Sequence, residues 1–277
     1  MDVLLNRIFF PNSFNELFSL WNQNPSALPY AGGTAILWRQ SKTIIDLPPV
    51  IICLDNMEEL QNITRTEHYL EIGSMVKLNK IIRLGKIVPE VLCDCLQNIG
   101  GVQLRNVATI GGNICCTNQL LDIPAPLVAL DAQYELRGTQ SSRWVSASRF
   151  HSEEDHNARD KKEILTRIRL PLHQWDYSMY KKFFSEDMYS NKTITFLAKA
   201  QKNILSDIKV VCKGDTIMRN KNAEGILIGC HLPLHRKTAS DFVENWKEFL
   251  SHNSEIDDFS KYEIINCIEI NVFNLTE

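Results

Sequence analysis

The sequence predicts an α+β fold: a small α/β part, then a mixed or antiparallel sheet, then a smaller C-terminal α+β unit with an antiparallel sheet and helices. Three observations predict it. Strand and helix patterns alternate over the first 57 residues, hairpin-like pairs of strand patterns take over up to Pro171, and a fresh series of strands followed by an amphipathic helix begins beyond it. The length, 277 residues with 44% hydrophobic content, accommodates about two domains with sizeable cores. We place them at residues 1–172, with subdomains of about 1–57 and 58–172, and at residues 173–277.

The chain opens on a short apolar piece, Ile8 to Phe10, ended by Pro11. Ser13 and Glu16 then form a capping-box pattern, and Phe14, Leu17, Phe18 and Trp21 fall on one helical face. Asn24-Pro25 breaks this helix, and Ala27 to Tyr30 leads as a strand into a Gly-Gly turn, after which Thr34 caps a short helix through Arg39. Thr43 to Ile45 and Val50 to Leu54 read as strands that close the first subdomain.

Asn62 to Thr64 and Tyr69 to Gly73 are separated as a hairpin would be, and helical patterns follow over 77–84 and 89–99. In the second of these Val91, Leu92, Cys95, Leu96 and Ile99 share a face, Pro89 suits the start and Gly100-Gly101 suits the exit. Gln133 to Arg137 and Arg143 to Val145 read as a hairpin around a turn at 138–142. The charged run over 151–163 reads as a solvated loop, and Ile164 to Leu170 as a strand stopped by Pro171. Beyond it, strand patterns cover 177–184, 193–200 and 208–212, and Phe242, Val243, Trp246, Phe249 and Leu250 mark a helix over 240–250. The latter half of 264–273 fits strand alternation, with the element type open.

A net charge of −3 gives no general attraction to nucleic acid or to an anionic membrane, so neither partner is expected. No run approaches the ~18 apolar residues of a membrane span, and the start lacks a basic stretch followed by an apolar one, so the expected location is the cytoplasm. The eight cysteines are scattered, which fits reduced thiols rather than a disulfide framework. Without a C-x₂-C run no iron–sulfur or zinc site is expected on this chain, and the proline-containing stretch between His231 and His235 favours a loop over a metal site. No nucleophile elbow or Ser/His/Asp set is evident.

The stretch that organises the chain is Arg105 to Ile114, containing Gly111-Gly112, followed by Asp122 to Ala132. Together with Gly32-Gly33 it gives two Gly-Gly loops, each beside a hydroxyl residue, Thr34 or Thr109. Each is a candidate turn for presenting backbone N–H groups to an anion, and two such loops suit one diphosphate. A Rossmann Gly-x-Gly-x-x-Gly turn and a Walker A sequence are both absent.

The words Ala31-Gly32-Gly33-Thr34, Arg105-Asn106-Val107-Ala108-Thr109-Ile110-Gly111-Gly112-Asn113, Leu127 to Ala132, and Glu163-Ile164-Leu165 running into Pro171 resemble one family. It is the FAD-binding medium subunit of the molybdenum hydroxylases, of the xanthine dehydrogenase and carbon monoxide dehydrogenase type. The resemblance implies an FAD-binding domain in residues 1–172 and a C-terminal domain like that of the carbon monoxide dehydrogenase flavoprotein. It implies cofactor contacts from Ala27, Leu28, Pro29, Tyr30, Ala31, Gly32, Gly33 and Thr34, and from Thr109, Ile110, Gly111, Gly112 and Asn113. Asp122, Leu165 and Lys181 match further FAD-contacting positions. Asp122 also reads as a helix N-cap, Leu165 as a buried strand residue, and Lys181 adjoins Lys182, while Arg105 reads as a structural anchor for the loop.

The implied role is electron relay. Electrons would arrive from a [2Fe–2S] iron–sulfur subunit and leave to an acceptor such as NAD, with hydroxylation on a molybdopterin-binding large subunit. Two alternatives are a stand-alone FAD oxidoreductase and a non-catalytic scaffold that has lost FAD. Three departures bear on them: Ala35 stands where the family has Asp, Cys115 to Leu121 replaces a small-residue stretch, and no Arg-rich word appears over 183–187.

Overall fold

The computed structural model describes residues 7–38, 47–116, 120–152, 162–183, 191–253 and 256–276. In chain order the strands are β1 (Arg7–Phe9), β2 (Leu28–Tyr30), β3 (Val50–Cys53), β4 (Ile63–Arg65), β5 (Tyr69–Gly73), β6 (Gln133–Arg137), β7 (Ser142–Ser146), β8 (Ile164–Pro171), β9 (Tyr177–Phe183), β10 (Lys192–Gln201), β11 (Ile204–Lys213) and β12 (Ile217–Arg219). The α-helices are α1 (Phe14–Gln23), α2 (Thr34–Trp38), α3 (Leu78–Ile82), α4 (Glu90–Gln97), α5 (Val102–Arg105), α6 (Ile110–Ile114), α7 (Pro124–Ala129), α8 (Ala147–Phe150), α9 (Lys221–Leu227), α10 (Arg236–Ser251) and α11 (Asp258–Phe273). Two compact units interleave along the sequence. One holds Met1–Val88, Ile99–Leu121 and Ala132–Pro171; the other holds Pro89–Asn98, Asp122–Asp131 and Leu172–Glu277.

In the first unit β1, β3 and β2 form a parallel sheet in that order. The α1 helix starts as its capping box predicts, with the Ser13 hydroxyl accepting from the Glu16 N–H at 3.3 Å; the Glu16 carboxylate reaches back to the N–H of Asn12 rather than Ser13. Its Phe14, Leu17 and Phe18 join Ile52, Leu54, Leu60 and Ile164 in one core. The second sheet is antiparallel, in the order β4-β5-β8-β6-β7, and contains both expected hairpins. One face carries cross-strand charge pairs: Glu71 opposite Arg169 (2.6 Å) and Glu135 opposite Arg167 (2.7 Å). The expected strand at 43–45 and the helix end at Arg39 lie outside the described residues, as does most of the charged run.

In the second unit β12, β11, β10 and β9 form an antiparallel sheet. Along its strands Phe183, Ile194, Phe196, Val210 and Cys212 face a core shared with Phe242 and Trp246 of α10 and with Ile264 and Ile268 of α11. The alternate residues face the side covered by α4 and α7. Lys202 and Asn203, both at positive φ (51° and 60°), close a two-residue hairpin between β10 and β11. This extends the expected strand at 208–212 back to Ile204.

The C-terminal segment, whose type the sequence leaves open, is the helix α11. Its buried residues Ile264, Ile268, Asn271 and Val272 recur at three- and four-residue steps, and the apparent alternation over 268–272 is a local coincidence within that longer stripe. His235 caps α10 through Nδ1, which accepts from the Lys237 N–H at 3.2 Å. Among the described residues no helix is long and apolar enough to cross a membrane, and no group of His, Cys, Asp and Glu is arranged to hold a metal ion.

Candidate cofactor-binding site

Parallel strands carry their ligand crevices at their C-terminal ends. Strand β2 runs in that direction into Tyr30, Ala31, Gly32, Gly33 and Thr34, and α2 begins at Thr34. Gly33 sits at φ +68°, which strains any other residue, and a Cβ there would lie 1.8 Å from the Tyr30 hydroxyl oxygen, so a side chain would also displace the Tyr30 ring. Burial, then the neighbouring Cys53 and Asp55, raise the Tyr30 phenol above its usual pKa.

The second loop lies against the first. A Cβ on Gly32 would meet the Val107 carbonyl oxygen at 2.3 Å, and one on Gly112 would lie 3.5 Å from the Ala31 Cβ. Thr109 caps the short helix α6 by accepting from the Gly112 N–H at 3.1 Å. Arg105 anchors the approach by donating to the carbonyls of Ile99 (3.1 Å) and Gly100 (2.5 Å).

The two loops are therefore chemically unlike. In the second, Gly111-Gly112 is not an open turn but the start of α6, and its N–H groups are engaged. Ile110 donates to Val76, Gly111 to Ser74 (2.8 Å), Gly112 to the Thr109 hydroxyl and Asn113 to the Thr109 carbonyl. Gly111 is glycine because a Cβ would meet the Ser74 backbone oxygen at 2.7 Å. In the first loop the N–H groups of Gly32, Gly33, Thr34 and Ala35 make no intramolecular hydrogen bond among the described residues. An anion between the loops would receive backbone N–H groups from the first, and from the second the Thr109 O–H, which remains free to donate.

Around these loops the other expected positions play varied parts. Ala27 belongs to the core, Leu28 is exposed, and Ile110 and Asn113 are buried. Leu165 is buried on the middle strand β8, opposite Leu136. The Ser74 hydroxyl is buried beside Gly111 with no hydrogen-bond partner among the described residues, an orphaned polar group that sequence reading did not single out.

In the second unit Asp122 is not a helix N-cap: Ile123 holds that position in α7 without a side-chain cap. Instead the Asp122 carboxylate takes an ion pair from Lys182 (2.6 Å) and another from Lys213 (3.4 Å), all three side chains nearly buried. Burial lowers the Lys213 pKa, and Asp122 pulls the other way. Strand alternation sends Lys181 to the opposite face, where it is exposed with its ammonium 5.0 Å from the Phe183 ring centre. Of the adjacent lysines, Lys182 is thus the one brought to Asp122.

A cradle that only glycine permits, free N–H groups and an unpaired buried hydroxyl fit the diphosphate part of a dinucleotide. The comparisons agree with it. The glyceraldehyde dehydrogenase medium chain of Sulfolobus acidocaldarius is 26% identical over 222 residues, covering 78% of this chain and 79% of that one. The xanthine dehydrogenase FAD-binding subunit of Escherichia coli O157:H7 is 31% identical over 185 residues, 65% of this chain and 63% of its own length. The crystal structure of a Cu,Mo-CO dehydrogenase, in its cyanide-inactivated form, contains a chain of the same fold, with a TM-score of 0.80 at 20% identity over 98% of this chain and 96% of that chain. The family described as the FAD binding domain in molybdopterin dehydrogenase matches residues 5–173, more than half of the sequence. The chain belongs to that family, and its cofactor is FAD.

Proposed function

We propose that this chain is the FAD-bearing electron-transfer subunit of a xanthine-dehydrogenase-like molybdenum hydroxylase, taking electrons from a [2Fe–2S] subunit and passing them to an acceptor such as NAD. The observation that supports the reading is the close approach of Gly32 to the Val107 carbonyl, which leaves no room for a Cβ and brings the two glycine loops side by side. The names of the relatives, a medium chain and an FAD-binding subunit, support a role within a larger assembly. When bound, FAD supplies the chemistry of accepting electrons singly and releasing them as hydride.

The chain's own residues bind and orient. In this proposal Ala27 to Thr34 and Thr109 to Asn113 contact the cofactor, joined by Asp122, Leu165 and a lysine of β9. Lys181 is the position implied by resemblance, and Lys182 is the one beside Asp122. No residue is assigned to bond-breaking on an organic substrate, so the hydroxylation partner is a separate molybdopterin-binding subunit. The division into an FAD-binding domain at 1–172 and a C-terminal domain at 173–277, and assembly in the cytoplasm, belong to the same proposal; the family match over 5–173 supports the first.

The test is an FAD titration of the purified chain followed by absorption, with Gly33→Val and Gly112→Val as loop variants and Lys181→Met and Lys182→Met as a second pair. One FAD per chain, lost in both glycine variants, is the expected result. Isolation from its source with iron–sulfur and molybdenum subunits, and reduction of NAD by that complex, would complete it. A chain that takes no FAD alone or in such a complex overturns the reading.

A further inference from the structure

We infer that Lys77 is a binding cation for the dinucleotide's diphosphate, held ready by Asp55 until the anion arrives; this rests on the FAD reading above. The need for a cation follows from the hydrogen bonds. A diphosphate brings two negative charges, and among the described residues the backbone N–H groups of Ile110 to Asn113 are engaged internally, which leaves the first loop as the main source of free backbone donors.

The placement of Lys77 answers that need. Lys77 and Thr109 form an isolated antiparallel bridge, and Leu78 N–H donates to the Ala108 carbonyl at 3.0 Å. Residues opposite one another in such a bridge project to the same side, so Lys77 shares a face with the hydroxyl that caps α6. The Lys77 ammonium is 3.3 Å from the carboxylate of Asp55, just past the C-terminal end of β3. That end lies beside the first loop: Tyr30 pairs with Cys53, and Leu54 N–H donates to the Tyr30 carbonyl. Lys77 therefore spans the two loops, tied by its backbone to one and by its charge to the strand end beside the other.

The tie to Asp55 is loose. The side chains are 35% and 51% exposed, and ion pairs so open to water hold weakly. A diphosphate in the crevice competes for the same ammonium, and a charge-assisted bond to phosphate is the stronger one. Asp55, left without its partner, opposes the anion. The pair thus sets the affinity of the loops from both sides, lysine raising it and aspartate lowering it.

The experiment measures binding of FAD, ADP and riboflavin to the full chain at low and high ionic strength, for the wild type and the Lys77→Met, Lys77→Arg and Asp55→Asn variants. Expected for Lys77→Met is about tenfold weaker binding of FAD and ADP, unchanged binding of riboflavin, and a smaller loss of affinity on adding salt. Lys77→Arg should restore most of the affinity, and Asp55→Asn should bind FAD at least as tightly as the wild type. Wild-type affinity for FAD and ADP in Lys77→Met, in a protein that melts normally, overturns the inference alone. Equal losses for riboflavin and ADP overturn it too, by making Lys77 structural. A wild-type chain that binds neither FAD nor ADP overturns the FAD reading and the inference with it.

Discussion

Gly32 approaches Val107 so closely that a Cβ on the glycine would stand 2.3 Å from the valine carbonyl oxygen. Residues 75 positions apart in sequence thereby meet backbone to backbone, closer than any side chain on the glycine would allow. Gly32→Ala must push the loops apart, at a cost of about 1–3 kcal/mol. The expected outcome is a folded protein with a lowered melting temperature and FAD affinity reduced at least ~10-fold, read by thermal denaturation and flavin titration.

Gly225 is the contrasting case. It lies inside α9, and a Cβ there meets nothing within 4 Å. Gly225→Ala removes only unfolded-chain freedom and should stabilise the protein by about 1 kcal/mol. Chemical denaturation of the variant beside Gly32→Ala would separate a glycine kept for contact from one that is not.

Asp122 compensates two nearly buried ammonium groups, those of Lys182 and Lys213. Removing the carboxylate leaves both charges without it, whereas removing Lys182 leaves Asp122 still paired with Lys213. Asp122→Asn should therefore cost about 3 kcal/mol and Lys182→Met clearly less. A double-mutant cycle in urea would measure the difference, and equal losses in the two variants would contradict the pairing.

His151 supplies a pH dependence. Its ring lies beside Tyr134, with Nε2 3.3 Å from the hydroxyl, and burial depresses its pKa from 6.5 to about 4. The unfolded chain then binds more protons than the folded one below pH 6.5, so this stability is present above that value and is lost as pH falls toward 4. Between pH 7 and 5 the loss from this group is about 2 kcal/mol. In His151→Phe the slope of stability over this range should flatten; an unchanged slope would assign the effect to other groups.

What could be read in advance follows how far apart the interacting residues lie. The capping box at Ser13, the stripe of Phe14, Leu17 and Phe18 and the hairpins β4–β5 and β6–β7 depend on neighbours a few positions away. The C-terminal helix was ambiguous because its burial is set by the sheet beneath it, and a short window of Ile and Val satisfies either period. The loops were legible as places but not as chemistry. Nothing local tells that the Gly111 N–H is taken by Ser74, 37 positions earlier, or that Ser74 keeps a free hydroxyl beside it.

By itself, then, the sequence determined the α+β class, the positions of both glycine pairs, Arg105 as an anchor and the kinship to FAD-binding chains. Only the tertiary structure decided which loop has N–H groups to give, which of Lys181 and Lys182 meets Asp122, and that Lys77 stands across from Thr109. The physical reason is common to all three. A strand fixes that adjacent side chains point apart, but the partner on each face comes from a distant segment. Likewise a backbone N–H is free or engaged according to which carbonyl folding brings within about 3 Å.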